Sequence, residues 1–364
     1  MKKILLIFGG EGSENEVSIM SARNVYQAID SNKYDVSLGY ISRLGKLLHV
    51  DSIDDVASDD DQRGSELVAQ LGKKGFFRII GPDKYSKSSN TDKATCLKFD
   101  LYPDAIFPLI HGRGGEDGSL AALGQLLHIP VVGCGVTPST IAWDKDLCKQ
   151  ILRANGIPVV PWLAIRKSGD IDFDTATEKL KSNILFVKPA REGSAVGVSR
   201  VAKKGEFDTA IKNALHYDDK VLIEPAVKGR ELECAVLFDD KDIKTTTVGE
   251  IVYGSTQFYD YDAKYSEQSS AKTVIPASSV PDLVIKEIQK YAKQAFTAIG
   301  GNGLSRIDFF YSDAGEIYIN EINTMPGFTN ISMYPKLWQH EGVSYPQLVT
   351  KLIEIAIDSS DTSE

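Results

Sequence analysis

Cysteine is scarce in this 364-residue chain, and the four present, Cys96, Cys134, Cys148 and Cys234, form no CxxC pair. That excludes a disulfide framework, argues against a zinc site, and fits free thiols in a reducing cytoplasm. No apolar run approaches the ~20 residues of a membrane span. The opening MKKILLIFGG joins two lysines to a short apolar run, but Gly9-Gly10 stops it too soon for the apolar region of a signal peptide. Excess positive charge is missing too: 41 Lys and Arg face 50 Asp and Glu, a net charge of −9. Such a balance argues against nucleic acid or an anionic membrane as a partner, while local cations can still hold an anionic substrate. Two nucleotide signatures are also absent. There is no GxxxxGK[ST], so no Walker A loop, and Gly9-Gly10-Glu11-Gly12 lacks the GxGxxG spacing of a dinucleotide fold.

What remains is ordinary globular composition, 42% apolar and 25% charged, in a chain long enough for two or three domains. Lys3–Phe8, Val36–Ile41, Ala105–Ile110 and Val131–Gly133 read as strands, with helices over Glu14–Ile29 and Ser119–Leu127. This order predicts an open parallel sheet through about residue 138. Asp51–Gly64 and Gly81–Lys93 read as charged or polar loops. Further on, Asp146–Ala154 reads as a helix, and Val159–Ile165, Leu185–Lys188, Val221–Glu224, Glu231–Phe238 and Thr245–Val252 as strands. Leu283–Ile299 and Tyr345–Ile357 follow as helices, with frayed residues after them. Gly254–Lys272, rich in tyrosine and polar residues, is too long for a tight turn and reads as a lid or a disordered loop.

The segment GLSRIDFFYSDAGEIYINEIN predicts a β-hairpin turning at Ser312–Gly315. With Tyr311 opposite Glu316, simple pairing sets Arg306 opposite Glu321 and Asp308 opposite Ile319. Arg306, Asp308, Glu321 and Asn323 then share one face, and Ile307, Phe309, Tyr318 and Ile322 the other. Two carboxylates, an amide oxygen and a cation on one face suit Mg²⁺ held together with phosphate oxygens. A surface salt-bridge ladder is the alternative.

Other segments point the same way. PAREGSAVGVSRV sets Gly193 and Gly197 after a strand ending in Lys188, a backbone nest and a cation for phosphate, although a plain turn has the same signature. Glu224 and Glu231 flank a loop and could accept from adenine and ribose, or could be surface glutamates. HGRGGEDGS lies at the C-terminal end of a predicted strand, where open α/β sheets bind ligands, and GGEGSENEVS leads into a helix N-terminus that favours anions. In NTMPGFTNISM, Gly327 permits a tight turn, and Ser332 could hold a carboxylate or cap a helix.

Taken in order, GGEGSENEVS, HGRGGEDGS, FVKPAREGSAVGVS, EPAVKGRELE, FYDYDAKY, RIDFF and NEINTMPGFTNISMYPKLW resemble the D-alanine–D-alanine ligases of the ATP-grasp superfamily, over nearly the whole chain. The resemblance implies a three-domain α/β fold: an N-terminal open parallel sheet (residues 1–138), a central ATP-grasp subdomain (139–227) and a catalytic domain (228–364) with a lid at 254–272, the last two α+β and enclosing ATP. It implies ligation of two D-alanines for peptidoglycan precursors, with ADP and phosphate released. It further implies two Mg²⁺, with Mn²⁺ as a substitute, a cytoplasmic location and a homodimer.

By the same resemblance, Glu14 holds the first D-alanine ammonium, linked by hydrogen bonds to Ser194 and Tyr265, and His111 lies near the second substrate. Lys145, Lys188, Ser194 and Ala195 contact phosphates, Lys264 approaches the γ-phosphate as the lid closes, and Asn320 lies at ATP. Glu224, Glu231 and the Val227 backbone hold adenine and ribose. Asp308, Glu321 and Asn323 hold metal, with Glu321 bridging. Arg306 steadies the acyl phosphate, Gly327 offers an N–H to the oxyanion, and Ser332 and Met333 contact the second substrate. Asn15, Ala121-Ala122, Trp143 and Ala195 depart from the usual pattern without removing a ligand. Tyr265, where the D-lactate enzymes carry Phe, favours D-alanine as acceptor; a D-lactate or D-serine ligase is the alternative. A non-catalytic nucleotide-binding protein would be expected to have lost Arg306 or a metal ligand.

Overall fold

The structure, a computed structural model, describes residues 1–56, 65–66, 103–239, 242–252 and 272–361. The expected loop at 81–93, most of that at 51–64, and all of the expected lid but residue 272 lie outside the described residues, as do Lys264 and Tyr265.

Strand β1 (Lys2–Gly9) is buried from Ile4 onward, the continuous apolar run of a strand covered on both faces. It pairs in parallel with β2 (Tyr34–Ile41) and β5 (Ala105–Pro108). That parallel core was expected. Antiparallel β3 (Leu47–Val50) and the short β4 (Ser65–Glu66) extend it at one edge, so the sheet is mixed, in the order β4-β3-β2-β1-β5. Val131–Gly133 forms no named strand; Val131 makes a single bridge to Ile106. Leu5, Ile7 and Ile106 face α2 (Ser119–Leu127) through Leu120. Ile4, Leu6 and Phe8 face α1 (Asn15–Ala28) and a helix from far along the chain, described below.

Helices α3 (Val136–Trp143) and α4 (Lys145–Ala154) lead to the second sheet. It runs β6 (Leu163–Ile165), β9 (Val221–Pro225), β7 (Leu185–Pro189) and β8 (Ser199–Val201), all antiparallel. The expected strand over Val159–Ile165 is shortened by Pro161, which cannot donate to a ladder; Val159 instead bridges Ile319. Helices α5 (Phe173–Leu180) and α6 (Lys204–Tyr217) cover this sheet. Phe207, Ala210, Ile211 and Ala214 recur at helical spacing and are buried.

The third sheet, also antiparallel, runs β12 (Lys272–Val274), β11 (Asp242–Val252), β10 (Gly229–Asp239), β13 (Leu304–Ser312) and β14 (Ile317–Asn323). Helix α7 (Asp282–Ala298) packs Ile288, Ala292 and Phe296 into the same core as Leu232, Ile307, Phe309 and Ile322. Helix α8 (Met333–His340) precedes α9 (Tyr345–Asp361), which continues past the expected end at Ile357. Leu348, Val349, Leu352 and Ile353 of α9 join the core of the first sheet.

The β13–β14 hairpin corrects the expected register. Tyr311 lies opposite Ile317 and Phe309 opposite Ile319, but Asp308 lies opposite Glu321 and Arg306 opposite Asn323. The register shifts between Phe309 and Asp308, leaving Asn320 as the extra residue of a β-bulge. Ile319, 1% exposed, therefore joins Phe309 and Ile322 in the core in place of Tyr318. Without the bulge, strict alternation would put Ile319 on the polar face with Glu321. The four residues expected on one face do share it, now as two directly opposed pairs.

Candidate active site

One pocket opens where the three sheets meet. Glu14, His111 and Glu116 come to it from the first sheet, Trp143, Lys145, Gly193 and Ser194 from the α3–α4 region and the turn after β7, and Arg306, Glu321, Asn323 and Gly327 from the third.

The first wall is set by the loop after β1. Gly9 has φ 97°, and a Cβ there would lie 2.2 Å from the Ile41 carbonyl oxygen, so only glycine fits. Asn15 Nδ2 donates to the Gly10 carbonyl at 2.7 Å, and Ser18 Oγ joins the Gly9 amide to the Leu109 carbonyl, tying this loop to the end of β5. Glu14, 8% exposed, occupies the N-cap of α1 without capping it through its side chain. Its carboxylate comes close to Gly193 across the pocket. His111 is buried with Nδ1 3.8 Å from Glu116 Oε1. Burial pushes the imidazole pKa down, but the neighbouring Glu116 and Glu14 carboxylates outweigh it, and it stands above its ordinary value.

The second wall carries cations. Asp144 caps α4 by accepting from the Leu147 amide at 3.1 Å, and the Lys145 amide donates to the Ala190 carbonyl at 3.0 Å. Lys145 Nζ donates to the Glu192 carbonyl at 2.5 Å and lies 3.6 Å from Glu321 Oε2. In the turn after β7, Ser194 and Ala195 adopt successive left-handed conformations, φ 50° and 58°. Each such residue costs roughly 1–2 kcal/mol without glycine, strain of a kind concentrated at ligand-binding loops. Lys188 lies behind this turn, 2.8 Å from Glu224 Oε2, and Lys149 lies 2.9 Å from Oε1. Burial would raise the Glu224 pKa; the two lysines lower it, so the carboxylate stays ionised.

On the third wall, Arg306 grips Asp308 with two 2.7 Å hydrogen bonds and lies 3.0 Å from Glu233 Oε2. Burial disfavours its charge, but Asp308 and Glu233 raise its pKa far above the pH range of proteins. Glu233, opposite Asp308 on β10, went unread in the sequence; the alternation Glu231-Leu232-Glu233 was its signal. Asn323 Oδ1 accepts from the Met325 amide at 3.0 Å and keeps a second lone pair. Among the described residues no cluster of three or more His, Cys, Asp or Glu side chains is arranged for a metal. The expected set is instead two carboxylates and one amide oxygen, all hard donors of the kind that suits Mg²⁺ together with phosphate oxygens.

Ser332 stands at the N-cap of α8 without capping it through its side chain. Its Oγ accepts from the Thr329 amide at 3.0 Å and lies 2.8 Å from Thr329 Oγ1. A Cβ on Gly327 would approach that Oγ to 2.8 Å, so glycine keeps this turn against Ser332. Several expected residues stand outside the pocket lining. Glu224, Val227 and Glu231 follow one another around the β9–β10 connection, Asn320 occupies the bulge, and Asp308 sits behind Arg306. Met333 is 3% exposed, its side chain packed in the core.

Two family models match the chain: D-ala D-ala ligase N-terminus over residues 3–134 and D-ala D-ala ligase C-terminus over residues 151–354. The chain belongs to the D-alanine–D-alanine ligase family. A D-alanine–D-alanine ligase of Shouchella clausii (strain KSM-K16) is 41% identical over 361 residues, 98% of this chain and 95% of that protein. Among solved structures, the D-alanine-D-alanine ligase from Coxiella burnetii aligns with a TM-score of 0.81 at 33% identity, covering 100% of this chain and 97% of that one. The VanG D-Ala:D-Ser ligase from Enterococcus faecalis aligns at 0.80 and 34% identity, covering 98% and 99%. As a member of this family, the chain is an ATP-dependent ligase of the α/β ATP-grasp fold. No described helix is long and apolar enough to cross a membrane.

Proposed function

We propose that this D-alanine–D-alanine ligase family member joins two D-alanines to D-alanyl-D-alanine through a D-alanyl phosphate, releasing ADP and phosphate, for peptidoglycan precursors. The observation that carries this reading is the convergence on one pocket of the acidic Glu14, the basic Lys145 and Arg306, the carboxylate of Glu321 and the Gly327 turn.

A carboxylate is a poor electrophile. In this reading Glu14 holds the ammonium of the first D-alanine, and that D-alanine's own carboxylate oxygen attacks the γ-phosphorus of ATP as ADP leaves. Lys145, Lys188 and the strained Ser194–Ala195 turn hold the phosphates, with Lys264 added from the lid segment. Glu224 accepts from adenine, Val227 assists through its backbone, Glu231 accepts from ribose, and Asn320 lies at ATP. The amine of the second D-alanine, seated near His111 and held by Ser332, attacks the acyl carbon, and phosphate leaves. Arg306 and the Gly327 N–H face the developing oxyanion. Asp308, Glu321 and Asn323 would hold two Mg²⁺, or Mn²⁺ in their place, which would supply charge neutralisation at the phosphoryl oxygens. Ser194 and Tyr265 complete the link to Glu14. Of the expected substrate contacts, Met333 is retained through its backbone alone, since its side chain is in the core.

We further read residues 1–138, 139–227 and 228–364 as the three domains, the assembly as a homodimer, and the site of action as the cytoplasm. Buried free Cys134, Cys148 and Cys234 accord with a reducing compartment.

The test is phosphate release with ATP, Mg²⁺ and D-alanine, with products identified by mass. D-alanyl-D-alanine is the expected product. The likeness to a D-Ala:D-Ser ligase makes D-serine, beside D-lactate, the acceptor to compete against it. A mixed product in preference to the dipeptide overturns the Tyr265 argument, and no phosphate release with any acceptor overturns the reading itself.

A further inference from the structure

We propose that Lys149 is a positioning residue for the nucleobase: it is the fixed counter-ion that keeps Glu224 ionised and aimed at adenine while Lys188 is released to the phosphates. The inference rests on the reading of Glu224 as the adenine acceptor given above.

Lys149 leaves α4 on the face that also buries Cys148 and Leu152, and it is 2% exposed. An ammonium in such a place is costly unless it is paired and hydrogen-bonded. Its Nζ is 2.9 Å from Glu224 Oε1 and donates to the Val160 carbonyl at 3.1 Å. The Trp162 ring lies 5.8 Å away, within cation–π range. Lys149 is thus held from three sides.

Lys188 differs. It pairs with the other oxygen of Glu224 at 2.8 Å, but it lies on β7, the strand that leads six residues later into the left-handed turn at Ser194–Ala195. A phosphate at that turn competes with Glu224 for Lys188. With Lys149 in place, Glu224 remains compensated when Lys188 turns away. Without it, the buried carboxylate would either retain Lys188 or take up a proton. A protonated carboxyl turns one acceptor oxygen into a donor, and the adenine amino group requires an acceptor. Inosine nucleotides present a carbonyl at the same ring position, which a carboxylate repels. The Lys149–Glu224 pair thereby selects adenine.

The test compares wild type, Lys149→Met, Lys149→Arg, Glu224→Gln and the Lys149→Met/Glu224→Gln double variant. Binding of ATP and ITP with Mg²⁺ is measured by calorimetry, alongside kcat, KM for ATP and D-alanine, and melting temperature. Lys149→Met is expected to weaken ATP about tenfold or more and to lower the ATP-over-ITP preference by a similar factor. D-alanine KM should stay within about twofold and kcat at saturating ATP within about threefold. Lys149→Arg should regain part of the preference. A Lys149 that merely supports the fold would lower the melting temperature and weaken ATP, ITP and D-alanine alike, and that result overturns the inference.

The double variant removes both charges of the Lys149–Glu224 pair, leaving Lys188 to the phosphates, and keeps the question open to decision if Lys149→Met fails to fold. Against the Glu224→Gln background, Lys149→Met should change the ATP-to-ITP ratio less than about twofold; a tenfold change there means that Lys149 acts by another route and overturns the inference. If Glu224→Gln alone leaves the ATP preference at the wild-type value, the adenine reading of Glu224 falls, and the inference with it. If Glu224→Gln abolishes the preference and Lys149→Met spares it, the inference alone falls.

Discussion

At the residue scale, Gly327 and Ser332 constrain each other. A methyl group at 327 meets Ser332 Oγ at 2.8 Å, while the rest of Ser332 stays 3.6 Å away. Gly327→Ala should cost about 1–3 kcal/mol of stability by overpacking. Adding Ser332→Ala should restore most of it in thermal melts without restoring ligation, because the hydroxyl is the proposed carboxylate donor. His111 gives a pH prediction. Its imidazole is raised above 6.5 by Glu116 and Glu14 against burial, so its resonance should titrate with a midpoint above that value, and Glu116→Gln should lower it. A raised folded value means that protonation stabilises the fold fully below about pH 6.5, and that this contribution disappears as the pH climbs through the folded pKa. The gap in melting temperature between wild type and His111→Gln should therefore narrow from about pH 6 to about pH 8. Glu14, His111 and Arg306 were legible because each lies in a polar or glycine-rich motif. Lys149 was not: a lysine four residues beyond Lys145 on a helix reads as solvated, and only packing reveals that its face is buried.

At the element scale, the bulge of β14 decides which side chains face the pocket. Deleting Asn320 would let Glu321 and Asn323 take the next regular positions and keep their partners Asp308 and Arg306. The deletion should therefore leave the melting temperature within a few degrees of wild type, while the lost local bend re-aims the metal-facing oxygens and lowers kcat at fixed Mg²⁺ by about tenfold or more. An unfolded product would mean that the bulge also carries the packing of Ile319 and its bridge to Val159. Strand alternation was enough to group the four polar residues of the hairpin correctly. It could not place the bulge, because Tyr318, Ile319 and Asn320 fit a regular strand equally well until the core claims Ile319. The antiparallel edge of the first sheet was missed for a related reason: Leu47–Val50 is too short to announce itself and is held by pairing with β2.

At the scale of the whole molecule, the first sheet and α9 form one core. Leu348, Val349, Leu352, Ile353, Ala356 and Ile357 are all buried, worth on the order of 10 kcal/mol by area, comparable to the entire net stability of a domain. A chain ending at Ser344 should show no slowly exchanging amides in β1, whereas the second sheet, with its own core around Val187, Phe207 and Ile223, should keep its protection. The parallel core of the first sheet could be read from strand and helix patterns, but the return of α9 to it could not, since an amphipathic stripe does not say which partner it covers. The same return has a consequence during synthesis. Ile4, Leu6 and Phe8 leave the ribosome about 340 residues before the helix that covers them. At ~5–20 residues per second that wait is on the order of tens of seconds. Throughout it the nascent sheet presents the apolar face that α9 later covers, a surface open to aggregation until the last helix is made.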